Sequence, residues 1–190
     1  MKISFLASHG GSSARAIIQA IREERLNADI GILITNNRNA DIFHWCLDNN
    51  IEVRHISNKT HRGEEGADEA IKSVLSNAGS DLVICSGYMK KIGPETLEKF
   101  SGKILNIHPA LLPKYGGKNM YGDHVHAAVI NAGEKESGAS VHYVTADYDE
   151  GLIIKQRRVP VDNNDSVETL RARVQAIEPE LYLEAINSIL

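Results

Sequence analysis

The strongest constraint on the fold is an alternation. Four short apolar runs, Lys2–Ala7 (KISFLA), Asp29–Thr35 (DIGILIT), Glu52–Ile56 and Asp81–Cys85 (DLVIC), take turns with helical patterns over Ala14–Arg25, Ala40–Asn50 and Ala67–Ala78, and with one that Pro94 opens. A short run that is apolar nearly throughout, as DIGILIT is, fits a strand buried on both faces of a parallel sheet. Parallel neighbours need a crossover of a dozen or more residues, which each helical pattern supplies, and such crossovers are overwhelmingly right-handed. Pro94 stands where a first helical turn tolerates proline. In the first helix Ala16, Ile17, Ala20 and Ile21 recur at i, i+1, i+4 and i+5, which predicts one buried face.

The second half reads differently. Lys103–Ile107 is a fifth strand stopped by Pro109, followed by a glycine-rich loop over Gly116–His126 and a short helix over Val125–Asn131. Ser140–Thr145 and Leu152–Val161 are strands around the turn Ala146–Gly151, which is too short for a parallel crossover, so one of them should run antiparallel. Asp165 and Ser166 are start signals for a helix over Val167–Ile189, which Pro179 is expected to kink or divide. The expected class is α/β: a Rossmann-like open, mostly parallel twisted sheet with helices on both faces and an antiparallel strand near the C-terminus, in a single domain spanning 1–190.

Composition narrows the function. A net charge of −4 over 190 residues argues against a nucleic-acid or anionic-membrane surface. No run approaches 18 apolar residues, so no membrane span is expected. Cys46 and Cys85 lack CxxC partners, which argues against a disulfide framework or a zinc site. The first apolar run breaks at His9–Gly10, too early for a secretory signal, and a cytoplasmic protein is expected.

In an open parallel sheet, ligands bind beyond the carboxyl ends of the strands. Ser8–Ser13, Ser86–Ile92 and Asn106–Pro109 all follow strands, as does Ala146–Gly151. In SHGGSS, Gly10 and Gly11 allow close backbone approach, while Ser12 and Ser13 can cap the helix or bind a phosphate. The segment is neither GxGxxG nor a P-loop. Asn106 and His108 flank Ile107 and project from the same side of the strand end, an amide donor beside a group that titrates near neutral pH. By spacing alone the ordinary reading comes first, with Asn106 a turn or cap residue and His108 a satisfied polar group. Asp149 is either the partner of His108 or the start of a turn before Gly151. Trp45 reads as packing.

The segments NIHPALLPKY (106–115), GGKNMYG (116–122) and SVHYVT (140–145), with Asp149 in DEG (149–151), resemble the glycinamide ribonucleotide formyltransferases, folate-dependent enzymes of purine synthesis, and the likeness runs over essentially the whole chain. It implies 10-formyltetrahydrofolate as co-substrate with no metal, glycinamide ribonucleotide as the other small-molecule substrate, no nucleic acid or membrane, and a monomer or homodimer. Asn106 and protonated His108 would stabilise a tetrahedral intermediate, Asp149 would keep His108 protonated and move the proton, and His142 would orient Asn106. Gly11, Ser12 and Ser13 would hold the substrate phosphate and Glu178 the ribose. Met89, Lys90, Ile92, Thr145, Ala146 and Asp147 would grip the folate. Two departures fall on the nucleotide side. Ser13 replaces the family's asparagine, with His9 before the glycines, and NKTHRGEEG (58–66) differs from the usual FxxRxxYD, leaving Arg62 as its arginine. A different phosphorylated or nucleotide amine, hydrolysis of formyl-tetrahydrofolate, or a non-catalytic binding role are therefore the alternatives. The glycines of 116–122 suit a mobile lid.

Overall fold

The computed structural model describes residues 1–190. Its elements are β1 (Lys2–Ala7), α1 (Ser12–Arg22), β2 (Asp29–Thr35), α2 (Asp41–Asp48), β3 (Val53–His55), α3 (Glu64–Asn77), β4 (Leu82–Ser86), α4 (Pro94–Lys99), β5 (Ile104–His108), α5 (Asp123–Asn131), β6 (Glu136–Tyr143), β7 (Ile153–Pro160) and α6 (Val167–Asn187). The strands form one open, mostly parallel sheet ordered β3-β2-β1-β4-β5-β6-β7, with β7 antiparallel to β6 at one end. Residue packing divides the chain into two compact units, Met1–Leu105 and Asn106–Leu190.

In the first unit, β1 pairs with both β2 and β4, so Ile3, Phe5 and Leu6 have no exposed surface. Burying each such side chain contributes about 1.5–3 kcal/mol. Helix α1 is turned by about one residue from the expected face: Ala14, Ile17, Ile18 and Ala20 are buried, whereas Ala16 and Ile21 are half-buried. Apolar residues crowd positions 16–21 all round, so periodicity alone left the phase open. Helix α3 begins at Glu64, three residues before the expected Ala67, and its acidic first turn of Glu64 and Glu65 suits the helix dipole. Pro94 opens α4 as expected. Trp45 is half-buried, with the Arg15 guanidinium 5.1 Å above its ring.

In the second unit, β6 starts at Glu136, four residues before the apolar signal, because its ladder to β7 extends through Gly138 opposite Arg158. Helix α5 likewise starts two residues early, at Asp123. Pro179 lies inside an unbroken α6 and does not divide it. An interior proline costs about 3 kcal/mol, and burial of Leu181, Tyr182, Leu183 and Ile186 beyond it outweighs that. Ser166 caps α6 reciprocally with Thr169. No helix is long and apolar enough to cross a membrane.

Candidate active site

Two loops meet in the first unit. Ser8 N–H donates to the Gly87 carbonyl at 3.2 Å, Met89 N–H to Ser8 Oγ at 2.8 Å, and Ala14 N–H to Ser86 Oγ at 3.0 Å. The glycine loop after β1 and the exit loop of β4 are thus fastened together. Gly11, not a serine, is the N-cap of α1. It lies in the left-handed region at φ 59°, and a Cβ there would come 2.7 Å from Ile42. The capping role open to Ser12 and Ser13 is not taken: no side chain caps α1, Ser12 is exposed and Ser13 buried. Met89 and Lys90 are exposed on the neighbouring loop, while Ile92 is buried.

The second unit brings together Asn106, His108, His142 and Asp149. Asn106 and His108 lie two positions apart on β5, on the same side. His142 comes from β6, where a register shift follows Val141, and bulges often re-aim side chains beside active sites. Asp149 comes from the turn before β7. That turn closes tightly at Gly151, where a Cβ would come 1.7 Å from the Tyr143 carbonyl oxygen. Thr145, Ala146 and Asp147 are exposed in the same turn, where Thr145 Oγ1 donates to the Asp147 carbonyl at 3.1 Å.

The hydrogen bonds assign protons. His142 Nδ1 lies 2.9 Å from the Tyr143 carbonyl, which can only accept, so Nδ1 carries a proton. In the neutral ring Nε2 then accepts from Asn106 Nδ2 at 3.2 Å. One amide hydrogen of Asn106 is thereby fixed, and the other remains to be given. His108 Nε2 donates to the Tyr115 carbonyl at 2.7 Å, and its Nδ1 faces Asp149 Oδ2 at 3.4 Å. The other carboxylate oxygen, Oδ1, lies 3.5 Å from His142 Nε2, and Oδ2 accepts the Gly117 N–H at 3.0 Å.

Electrostatics corrects one expectation. Burial of the His108 ring, 4% exposed, lowers its pKa by more than Asp149 and the Tyr115 carbonyl raise it. The net direction is down, so Asp149 does not hold the unliganded ring protonated. For Asp149, burial pushes the carboxyl up, but His142, His108 and the Gly117 N–H together hold it below the ordinary aspartate value. Asp149 is therefore an anion beside a neutral imidazole. A cavity of about 390 Å³ opens next to it, lined by Leu112, Pro113, Gly117, Tyr148 and Ile153 among others. Glu178, on α6, is partly buried, and burial alone pushes its carboxyl up to about 7.

Sequence reasoning did not reach Tyr115 or Gly117, because both engage through backbone atoms. The one available signal was their place in a segment rich in proline and glycine.

A family model described as formyl transferase matches residues 1–186. The chain is 36% identical over 189 residues to the chloroplastic phosphoribosylglycinamide formyltransferase of Arabidopsis thaliana, covering 99% of this chain and 65% of that one. It thus spans just under two thirds of that plant relative's length. The phosphoribosylglycinamide formyltransferase of Bacillus subtilis is 31% identical over 189 residues, with 94% of its length covered. The crystal structure of phosphoribosylglycinamide formyltransferase from Bacillus halodurans superposes with a TM-score of 0.92 at 32% identity, covering 100% of this chain and 95% of that one. Sheet order, the paired polar groups at the end of β5 and a match that crosses both compact units agree: the chain belongs to the formyl transferase family.

Proposed function

We propose that the chain transfers the formyl group of 10-formyltetrahydrofolate to the primary amine of glycinamide ribonucleotide in the cytoplasm, and that residues 1–190 act as one formyltransferase domain. The observation that carries this reading is the convergence of an amide, an imidazole and a carboxylate at Asn106, His108 and Asp149.

Attack of the amine on the formyl carbon turns the carbonyl oxygen into an oxyanion. Asn106 offers it the amide hydrogen that His142 leaves free. His108 offers a second donor through Nδ1, since Nε2 is committed to Tyr115. Its ring is neutral at rest, and negative charge growing beside it favours the imidazolium. The proton shed by the amine, relayed by the Asp149 carboxylate, supplies that charge. It then passes to the folate nitrogen as the old carbon–nitrogen bond breaks. One carbon–nitrogen bond forms, one breaks, and one proton moves from acceptor amine to folate. In the same reading Gly11, Ser12 and Ser13 take the substrate phosphate and Glu178 the ribose hydroxyls, while Met89, Lys90, Ile92, Thr145, Ala146 and Asp147 hold the folate.

The test is turnover of purified full-length protein with 10-formyltetrahydrofolate, with and without glycinamide ribonucleotide. Formyl transfer that depends on the ribonucleotide supports the proposal. Formate release without it would make the chain a hydrolase, and saturable binding with no turnover would make it a binding module.

A further inference from the structure

The catalytic-strand histidine is oriented by a main-chain carbonyl, and the segment bearing that carbonyl is fastened at both ends by side chains so far without a role. At one end, Leu112 N–H donates to Ser140 Oγ at 3.0 Å, and the Leu112 carbonyl accepts from Gln156 Nε2 at 2.9 Å. Ser140 Oγ also donates to the Ala110 carbonyl at 2.6 Å and accepts from Gln156 Nε2 at 2.7 Å. The serine hydroxyl thus uses its one donor and both lone pairs, and Gln156 uses both amide hydrogens. Ser140 and Gln156 are direct cross-strand partners on β6 and β7, so the sheet register itself aims them at Leu112.

At the other end, Glu134 Oε1 accepts from Tyr115 Oη at 3.0 Å and from Lys114 Nζ at 2.8 Å. Tyr115 needs such an anchor. Its backbone is left-handed, at φ 58°, a conformation strained for any residue that carries a Cβ. In that conformation its carbonyl meets His108 Nε2 at 2.7 Å. Were residue 115 to relax, Nε2 would lose its acceptor, and the proton of the neutral ring could move to Nδ1 or the ring could turn.

We propose that Gln156 and Glu134 are positioning residues that hold the Tyr115 carbonyl on His108 Nε2, so that Nδ1 is the nitrogen presented to Asp149 and to the reacting oxygen. The inference rests on the formyl-transfer reading for its kinetic consequence, but not for its structural one. Gln156 is exposed and Glu134 half-buried, so both tolerate substitution without opening the core.

The experiment compares full-length wild type with Glu134→Ala, Gln156→Ala and the double variant. Long-range proton–nitrogen spectra of 15N-histidine-labelled protein read the His108 tautomer, with the resonance assigned from His108→Gln. Steady-state kinetics with 10-formyltetrahydrofolate and glycinamide ribonucleotide supply kcat and KM. The expected result is loss of the single Nε2–H form of His108 in the double variant. Its kcat should fall about 10–100-fold, the range for a misplacement on the order of 1 Å, with both KM values within a few-fold. Glu134→Gln, which keeps an acceptor for the tyrosine hydroxyl, should recover most of the loss seen in Glu134→Ala. A folded double variant that retains the wild-type tautomer overturns the proposal, as does one that loses it with kcat unchanged. If wild type itself turns over nothing, the functional reading fails, and the spectra still decide whether the two residues set the tautomer.

Discussion

Oδ2 of Asp149 lies 3.4 Å from Nδ1 of His108, and the residue that supplies it stands in the left-handed region at φ 58°. Aspartate tolerates that conformation better than most residues, and the Gly117 N–H on the same oxygen helps fix it. Asp149→Asn retains the shape and removes the charge. Among the influences that raise the His108 pKa, Asp149 is the largest, so the variant's ring should titrate lower still. With the proposed proton relay gone, kcat should fall about 10²–10⁴-fold, while folate binding changes little. Kinetics and a nuclear magnetic resonance titration of His108 check the two halves separately.

In the proposed mechanism Asn106 serves the oxyanion and moves no proton. Asn106→Ala removes one donor, and loss of such a donor typically costs about 10²–10³ in kcat. It also leaves His142 Nε2 without the amide that it accepts at 3.2 Å. The prediction is a fall in kcat of that size with KM for both substrates nearly unchanged, read from initial rates. A loss confined to KM would place Asn106 in substrate binding instead.

The fold was legible where one physical signal dominates. Lys2–Ala7 and Asp29–Thr35 form strands with the bounds that their apolar runs predict, because burial on both faces demands such runs. Pro94 and Ser166 mark helix starts through local chemistry that needs no tertiary context. Legibility failed where packing overrides local preference: α6 continues past Pro179 instead of dividing there, and Glu136–Ala139 is a polar and glycine-containing stretch that only its ladder with β7 makes a strand. The same division runs through the site. Asn106, His108 and Asp149 were readable as chemistry-bearing side chains at strand ends. The Tyr115 carbonyl and Gly117 N–H were not, since every residue has such groups and only the turn decides which ones point inward. The direction of the His108 shift was not legible, because a sequence displays the neighbouring carboxylate but not the depth of burial that outweighs it.

That burial has a consequence for stability. The His108 pKa in the folded protein lies below its ordinary value of 6.5. Between the two values the unfolded chain binds more protons, so stability from this group rises with pH and is fully present above about 6.5. His126 is shifted the same way, mainly by burial. The urea midpoint of wild type relative to His108→Gln should therefore climb as pH is raised from 5 to about 6.5 and level off above it. A difference independent of pH would mean that the ring is not held neutral by its surroundings.

Glu178 works in the opposite sense. Its carboxyl is raised from an ordinary 4.5 to about 7 by burial alone. Between those values the folded protein binds the extra proton, so its contribution to stability falls as pH rises from about 4.5 to about 7. Wild type should lose stability relative to Glu178→Gln across that window, the reverse of the His108 comparison. The same proton opposes ligand binding if Glu178 takes the ribose hydroxyls, since the carboxylate, with both oxygens free to accept, is the better partner for two donors. KM for glycinamide ribonucleotide should therefore drop as pH is raised through about 7 in wild type and stay flat in Glu178→Gln, while KM for the folate follows neither. A wild-type KM that ignores pH in this range, alongside the predicted stability slope, would leave Glu178 a buried acid with no part in holding the ribose.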